Sequence, residues 1–399
     1  MRQRGWLSTV LLGIFFVGGC SDGGDRDPGT STGGTTRTGG VGPTGGIPAT
    51  GGETPAGGAP PTTTGVGNPD GKCAVPAAGM PESIANPTTV VGAGTPDSCT
   101  AQKVVDAVKA GGVVTFNCGA EPLTIAVPEI RIMNNGGKGD GSVTIDGGGK
   151  ITLAAAGNHR VLYQNTCDES LVWTSTRCDI QTTPHLVLQN LGITGGKGAA
   201  GKGTKPELNG GGAIYVGGGT FKAYGIRVTN SIQTNAAGVL AQDLAGGGIY
   251  IFQVNSPVYI VNSTFENNAG SNGGAIGGLF ISYTIINSLL VGNKATGKGM
   301  NPAQSGTTGG GLGGAIYNDG NSMTLTICGT EIRNNTASEL GSGAIFFVAN
   351  DLKGTIAMDQ STFTGNSNNG SVQSRAGIYA EAKDKAGNAG ITVKNTTFN

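Results

Sequence analysis

Histidine is almost missing from this chain: His159 and His185 are the only two in 399 residues, each beside a strand-like segment. They are far apart in sequence, so an imidazole-based metal or acid–base centre is not expected. Charged residues make up 13% and cancel to a net charge of zero, which gives no electrostatic footprint for nucleic acid or an anionic surface. No Cys-x-x-Cys pair or other metal-ligand spacing occurs, and no motif asks for a cofactor. A bilayer-spanning run is also missing; the longest apolar stretch, residues 7–17, is shorter than the ~20 residues required.

What the chain has instead is glycine, 76 residues of it, and repetition. The stretch 258–276, VYIVNSTFENNAGSNGGAI, shows the unit. Val258 and Ile260 alternate with Tyr259 and Val261, the period of a strand. Asn262, a small pair, the apolar Phe265 and Asn268 follow, then a glycine-rich link and a second strand opening at Ile276. The apolar landmark recurs as Ile193, Val228, Phe265, Leu290, Ile332, Phe363 and Phe398, in steps of 35, 37, 25, 42, 31 and 35 residues. The second landmark recurs as Ile214, Ile249, Ile276, Ile316, Ile345 and Ile378. Periods of this size indicate a solenoid or a propeller. Variable glycine-rich links between short strands favour the solenoid, an all-β parallel β-helix in which each repeat is one coil. Its right hand follows from the preference of parallel crossovers.

Stacking at ~4.8 Å places like residues above like. Asn190, Asn262, Asn287 and Asn395 share one register, interrupted by Gly225, Gly329 and Gln360, and predict a partial amide ladder. The glycines before each second-landmark Ile suit a corner that needs positive φ or close backbone approach. Residues 98–112 carry Ala101, Val104, Val105 and Val108 on one helical face and end in two glycines, as expected of a helix capping the first coil. Short strands follow at 113–116, 123–127, 143–145 and 151–153. Asp146, in Asp-Gly-Gly-Gly, reads as a turn former rather than a catalytic acid.

The N-terminus divides off by composition. Residues 1–19 have Arg2 and Arg4, the apolar run and Val17-Gly18-Gly19-Cys20, a secretory signal. Its end resembles the lipobox of bacterial lipoproteins, which implies lipidation at Cys20 and attachment to a membrane. By the same resemblance, Ser21 carries no inner-membrane retention signal and favours the outer membrane or cell surface. Residues 20–70, nearly all Gly, Thr and Pro, cannot offset their ordering entropy and are expected to form a disordered tether. The β-helix domain then spans 71–399 and ends in mid-coil at Phe398-Asn399, as if truncated or covered by a partner.

With several FxxN and GGAI copies in order (Phe265–Asn268 and Gly273–Ile276 among them), the chain resembles the right-handed β-helix proteins of the pectate-lyase-like group. The repeats themselves are similar to those of polymorphic outer-membrane proteins. The resemblance implies a β-helix at the cell envelope. The self-secretion barrel common in that family has no counterpart here.

Without Cys20, six cysteines remain and permit fifteen connectivities. Cys99 with Cys118 would tie the cap helix to the first strand, and Cys167 with Cys178 would close an insertion. Each would contribute about 3 kcal/mol in the chain-entropy model. Cys73 and Cys328 are expected to stay free, because pairing them would require the N-terminal segment to run back along the solenoid.

Catalysis in this group needs clustered carboxylates, holding calcium beside a basic residue or paired for hydrolysis. The outward positions flanking the first landmark are Thr194, Thr229, Glu266, Val291, Arg333 and Thr364 on one side. On the other they are Gly192, Arg227, Thr264, Leu289, Glu331 and Thr362, and neither column collects acids. No catalytic residue is assigned. Following the second landmark come Tyr215, Tyr250, Gly277, Tyr317, Phe346 and Tyr379, a stripe of rings expected to point outward. It would either stabilise the sheet or form a platform for sugar rings. The reading is a non-catalytic envelope protein for adhesion, glycan binding or envelope structure, engaging a polysaccharide or another cell's surface. The alternatives are a polysaccharide lyase or glycoside hydrolase, and a plain spacer.

Overall fold

A computed structural model describes residues 65–133, 140–171, 181–198, 210–233, 245–255, 257–367, 375–383 and 390–399. Those residues build a parallel β-helix. Three long sheets run its length: sheet A with ten strands, sheet B with nine and sheet C with eight, joined by a short five-stranded ribbon. Every strand pairing within them is parallel, unlike the antiparallel hairpins of a propeller blade.

One coil shows the path. Val258–Val261 lies in sheet A, Thr264–Glu266 in sheet B, Ala269–Gly270 in the ribbon and Ile276–Leu279 in sheet C, before Tyr283–Ile286 opens the next coil. Both landmark series fall into exact columns. Val228 sits between Ile193 and Phe265, Leu290 between Phe265 and Ile332, and Phe363 between Ile332 and Phe398. Ile214, Ile249, Ile276, Ile316, Ile345 and Ile378 form the second. Both columns point into one continuous apolar core. The corner before sheet C uses glycine in both expected ways: Gly273 takes φ 59°, and a Cβ on Gly274 would lie 2.3 Å from the Gly314 carbonyl oxygen.

The cap is the helix Ala101–Ala110, begun by Thr100, whose hydroxyl accepts from Lys103 N, and ended by Gly111 at φ 76°. Val104, Ala107 and Val108 are buried on the core. Its contacts are with the first strands of all three sheets, so it covers the edge that would otherwise stay open.

The amide ladder exists, but in a different column from the one expected. Asn190, Asn262, Asn287 and Asn395 occupy the corner between sheets A and B at φ between 44° and 50°. That left-handed corner explains the Gly225 and Gly329 substitutions in the same register, at φ 61° and 60°. Side chains there turn to Asp146, Asp359 and Cys73. The ladder is instead made by Asn268, Asn293, Asn335 and Asn366, fully interior. The Nδ2 of each of the first three donates to the next Oδ1 at 2.9–3.0 Å, and all four also donate to a strand carbonyl. A second ladder runs beside it: Ser263, Ser288, Thr330 and Ser361 each accept, through the side-chain oxygen, from the backbone N–H one coil before. Asp146 is the turn former expected, its carboxylate accepting from Gly148 N at 2.7 Å and from Gln189 and Asn190.

Cys99 and Cys118 are bonded as expected. Cys167 is disulfide-bonded, and Cys178 lies outside the described residues. The expectation for Cys73 and Cys328 is overturned: they form a disulfide across 255 residues. The reason is that the N-terminal segment does run back along sheet A, so the folded unit begins before residue 71. Gly67 N donates to Thr264 Oγ1 at 2.8 Å and Asn68 N to the Asn287 carbonyl at 2.9 Å. Cys20 and the residues before Gly65 lie outside the described residues.

Candidate functional site

The outer face of sheet C carries the ring column. Strand alternation sends Ile214, Ile249 and Ile316 inward and Tyr215, Tyr250 and Tyr317 outward. The column starts one coil earlier than the sequence suggested, at Tyr163, which is in register with Tyr215. Tyr163, Tyr215 and Tyr250 follow at centroid distances of 5.3 and 5.8 Å, tilted. Tyr317, Phe346 and Tyr379 follow at 5.2 and 5.3 Å with planes within 7°. Gly277 separates the two groups. A Cβ there would lie 2.5 Å from Gly246 N and 2.9 Å from Ala245 Cβ, so the link of the preceding coil fills the missing ring's place.

The rings leave the core as expected, yet they do not form an open platform. Tyr215, Tyr250, Tyr317 and Phe346 are between 0 and 6% exposed, and only Tyr379 is half-buried. Leu171, Ala245, Leu312 and the partly buried Leu340 pack over them, the last three from links that precede sheet C strands and Leu171 from the link that follows the sheet C strand Leu162–Asn165. The insertions fold back and make a second apolar core outside the first. A sugar-binding stripe at Tyr215, Tyr250, Tyr317 and Phe346 is therefore corrected to a packed stack, for which burial of ~150–250 Å² per ring is the driving force. Arg160 is sealed in at its N-terminal end, within 5.6 Å of the Tyr163 and Tyr215 ring centres, with Nε donating to the Gly210 and Gly211 carbonyls. Burial pulls the pKa of its guanidinium down, opposed first by Glu129 at 3.7 Å.

Two residues beyond the rings stands a column that sequence reading missed. It contains Leu279, Asp319, Val348 and Glu381 in direct register. Each acid takes the phenol of its own strand: Tyr317 donates to Asp319 Oδ2 at 3.2 Å and Tyr379 to Glu381 Oε1 at 2.6 Å. Asn350 Nδ2 donates to Asp319 Oδ1 at 2.9 Å. Burial holds the Asp319 carboxyl above its ordinary range, outweighing the Asn350 and Tyr317 hydrogen bonds, and the charge of Glu381 adds to the rise. The Tyr379 phenol is raised to about 12 by burial, with its bond to Glu381 next in weight. Two strand spacings separate the acids, roughly 10 Å. Phe280, 46% exposed, borders them, its N–H donating to the Asp319 carbonyl at 2.8 Å. The signal was present as Tyr-x-Asp and Tyr-x-Glu, two positions past the ring register.

The remaining candidates do not converge. His159 Nδ1 lies 2.7 Å from the Arg160 carbonyl and His185 Nδ1 2.6 Å from Thr220 Oγ1, on different parts of the coil. In sheet B, Arg227 pairs with Glu266 at 2.5 Å and Arg333 with Glu331 at 3.1 Å, which are surface ion pairs rather than an acid dyad. Among the described residues no three metal-ligating side chains gather, and no helix is long and apolar enough to cross a membrane. In comparison with known proteins, no family model, curated protein or solved structure matches this chain.

Proposed function

We propose that this chain is an exported, lipid-anchored β-helix of the bacterial cell envelope, non-catalytic, serving adhesion, glycan binding or envelope structure. The observation that carries the reading is that all five described cysteines, Cys73, Cys99, Cys118, Cys167 and Cys328, are disulfide-bonded. Such bonds persist in oxidising compartments outside the cytosol. The lipobox-like Cys20 and the Gly/Thr/Pro tether supply the membrane attachment, and the FxxN/GGAI repeats relate the rod to polymorphic outer-membrane proteins. The test is fatty-acid labelling of the full chain and of Cys20→Ser in a bacterial host, followed by protease shaving of intact cells. Label on the native chain, its loss in the variant and surface cleavage are expected; an unlabelled native chain sinks the anchor.

A second reading, a glycoside hydrolase or polysaccharide lyase, is favoured by Asp319 and Glu381. Their spacing of about 10 Å is close to that of the acid and base in inverting glycosidases. Asp319, with its raised pKa, would act as proton donor and Glu381 as base. On a panel of plant and bacterial polysaccharides with and without calcium, this reading expects new reducing or unsaturated ends, abolished by Asp319→Asn and Glu381→Gln. A wild-type chain that binds without cleaving discards it, and one that does neither leaves a spacer or a protein partner.

A further inference from the structure

The N-terminal segment is a strap laid over the outside of sheet A, against the direction in which the coils are added. From Cys73 it passes Tyr259 and Val261 at Gly79 and meets Lys222, whose Nζ donates to the Met80 carbonyl at 2.7 Å and reaches Glu82. Glu82 then exchanges two hydrogen bonds with Gln189 at 2.8 and 3.0 Å, and Thr88 N donates to the Val113 carbonyl. Only after this does the chain enter its first strand, Thr89–Val91.

The start of the strap is built to fit. Gly71 rests where a Cβ would lie 2.6 Å from the Gly329 carbonyl oxygen and 2.8 Å from Asn287 Cβ. Asn68 Nδ2 donates to that same Gly329 carbonyl at 2.9 Å. Asn287 turns its whole amide to the strap: Oδ1 accepts from Cys73 N at 3.0 Å and Nδ2 donates to the Cys73 carbonyl at 2.9 Å. Beside this dock the disulfide closes onto Cys328, in the eighth strand of sheet A.

We infer that the Cys73–Cys328 disulfide is a mechanical clamp. It moves the point at which the N-terminal tether pulls on the solenoid from the cap to the eighth coil. Tension arriving from the N-terminal side meets a few hydrogen bonds and then a covalent stop. The strap beyond it, the cap helix and the coils between residues 73 and 328 lie outside the path of force. Without the bond the same tension would peel the strap, strip off Thr89–Val91 and uncover the cap. The role in the cell rests on anchorage through the N-terminus; the clamp itself rests on the connectivity alone.

The test is single-molecule extension of the full chain, held by handles fused to its two termini, first without and then with dithiothreitol. Without reductant, unfolding should release only the residues outside the clamp, with the segment between the two cysteines, a sequence separation of 255, held back. Dithiothreitol, oxidised to its cyclic disulfide as it reduces the bond to two thiols, should then add a step on the order of 800 Å, at about 3.3–3.6 Å per residue. That added step is the expected result. Full extension in a single stage without reductant, or no added step with it, overturns the clamp. Failure of fatty-acid labelling would remove the anchor and leave the clamp standing, so the two readings fail separately.

Discussion

Inside the solenoid four amides stack without a gap, Asn268 to Asn366; outside sheet C six rings stack in two groups of three around Gly277. Both columns arise from the same cause, a coil repeat that sets like above like. They differ in what satisfies them. An interior amide is directional, and each one completes the bonding of the coil before it, so a missing member leaves buried groups without partners. Rings are held by apolar contact, which any neighbouring carbon can supply, so Ala245 stands in at the gap. The inner column therefore enforces register, while the outer one only rewards it.

The largest effect should come from breaking the inner column. Asn293→Ala would take from Asn268 the acceptor of its backbone N–H and one of the two acceptors of its Nδ2, and from the Phe265 carbonyl the Asn293 amide donor. A loss of about 3–5 kcal/mol is expected, read by chemical denaturation. A loss below ~1 kcal/mol would show that the ladder is incidental. Removing a covered ring should cost somewhat less: Tyr317→Ala is expected to lose about 3 kcal/mol and Tyr379→Ala, at the half-exposed end, about 1. Equal costs would mean that the cover over the stack contributes nothing.

The smallest effect concerns Asp319 at the rim of the outer column. Because its folded-state pKa lies above the ordinary 3.8, ionising it opposes folding. Its contribution is fully present below pH 3.8 and is lost as pH rises through the raised value. Asp319→Asn should accordingly be the more stable chain at neutral pH, with the difference shrinking on acidification. A difference independent of pH would place the effect elsewhere than in this titration. Thermal unfolding across the acid range measures it.

Much of this was legible in the sequence because period and register are local. The coil landmarks, the cap helix, the turn at Asp146 and the Cys99–Cys118 bond each follow from short-range spacing, and neighbouring copies reinforced one another. Period alone does not tell the ladder column from the corner column, because both asparagines repeat with the same period. Only the corner geometry distinguishes a left-handed corner residue from an interior one. Folding of the insertions over sheet C, the meeting of Asp319 and Glu381 in one column, and the return of the strap to Cys328 were decided by tertiary structure. None of these contacts leaves a periodic trace, because each joins segments whose separation in sequence is set by links of arbitrary length.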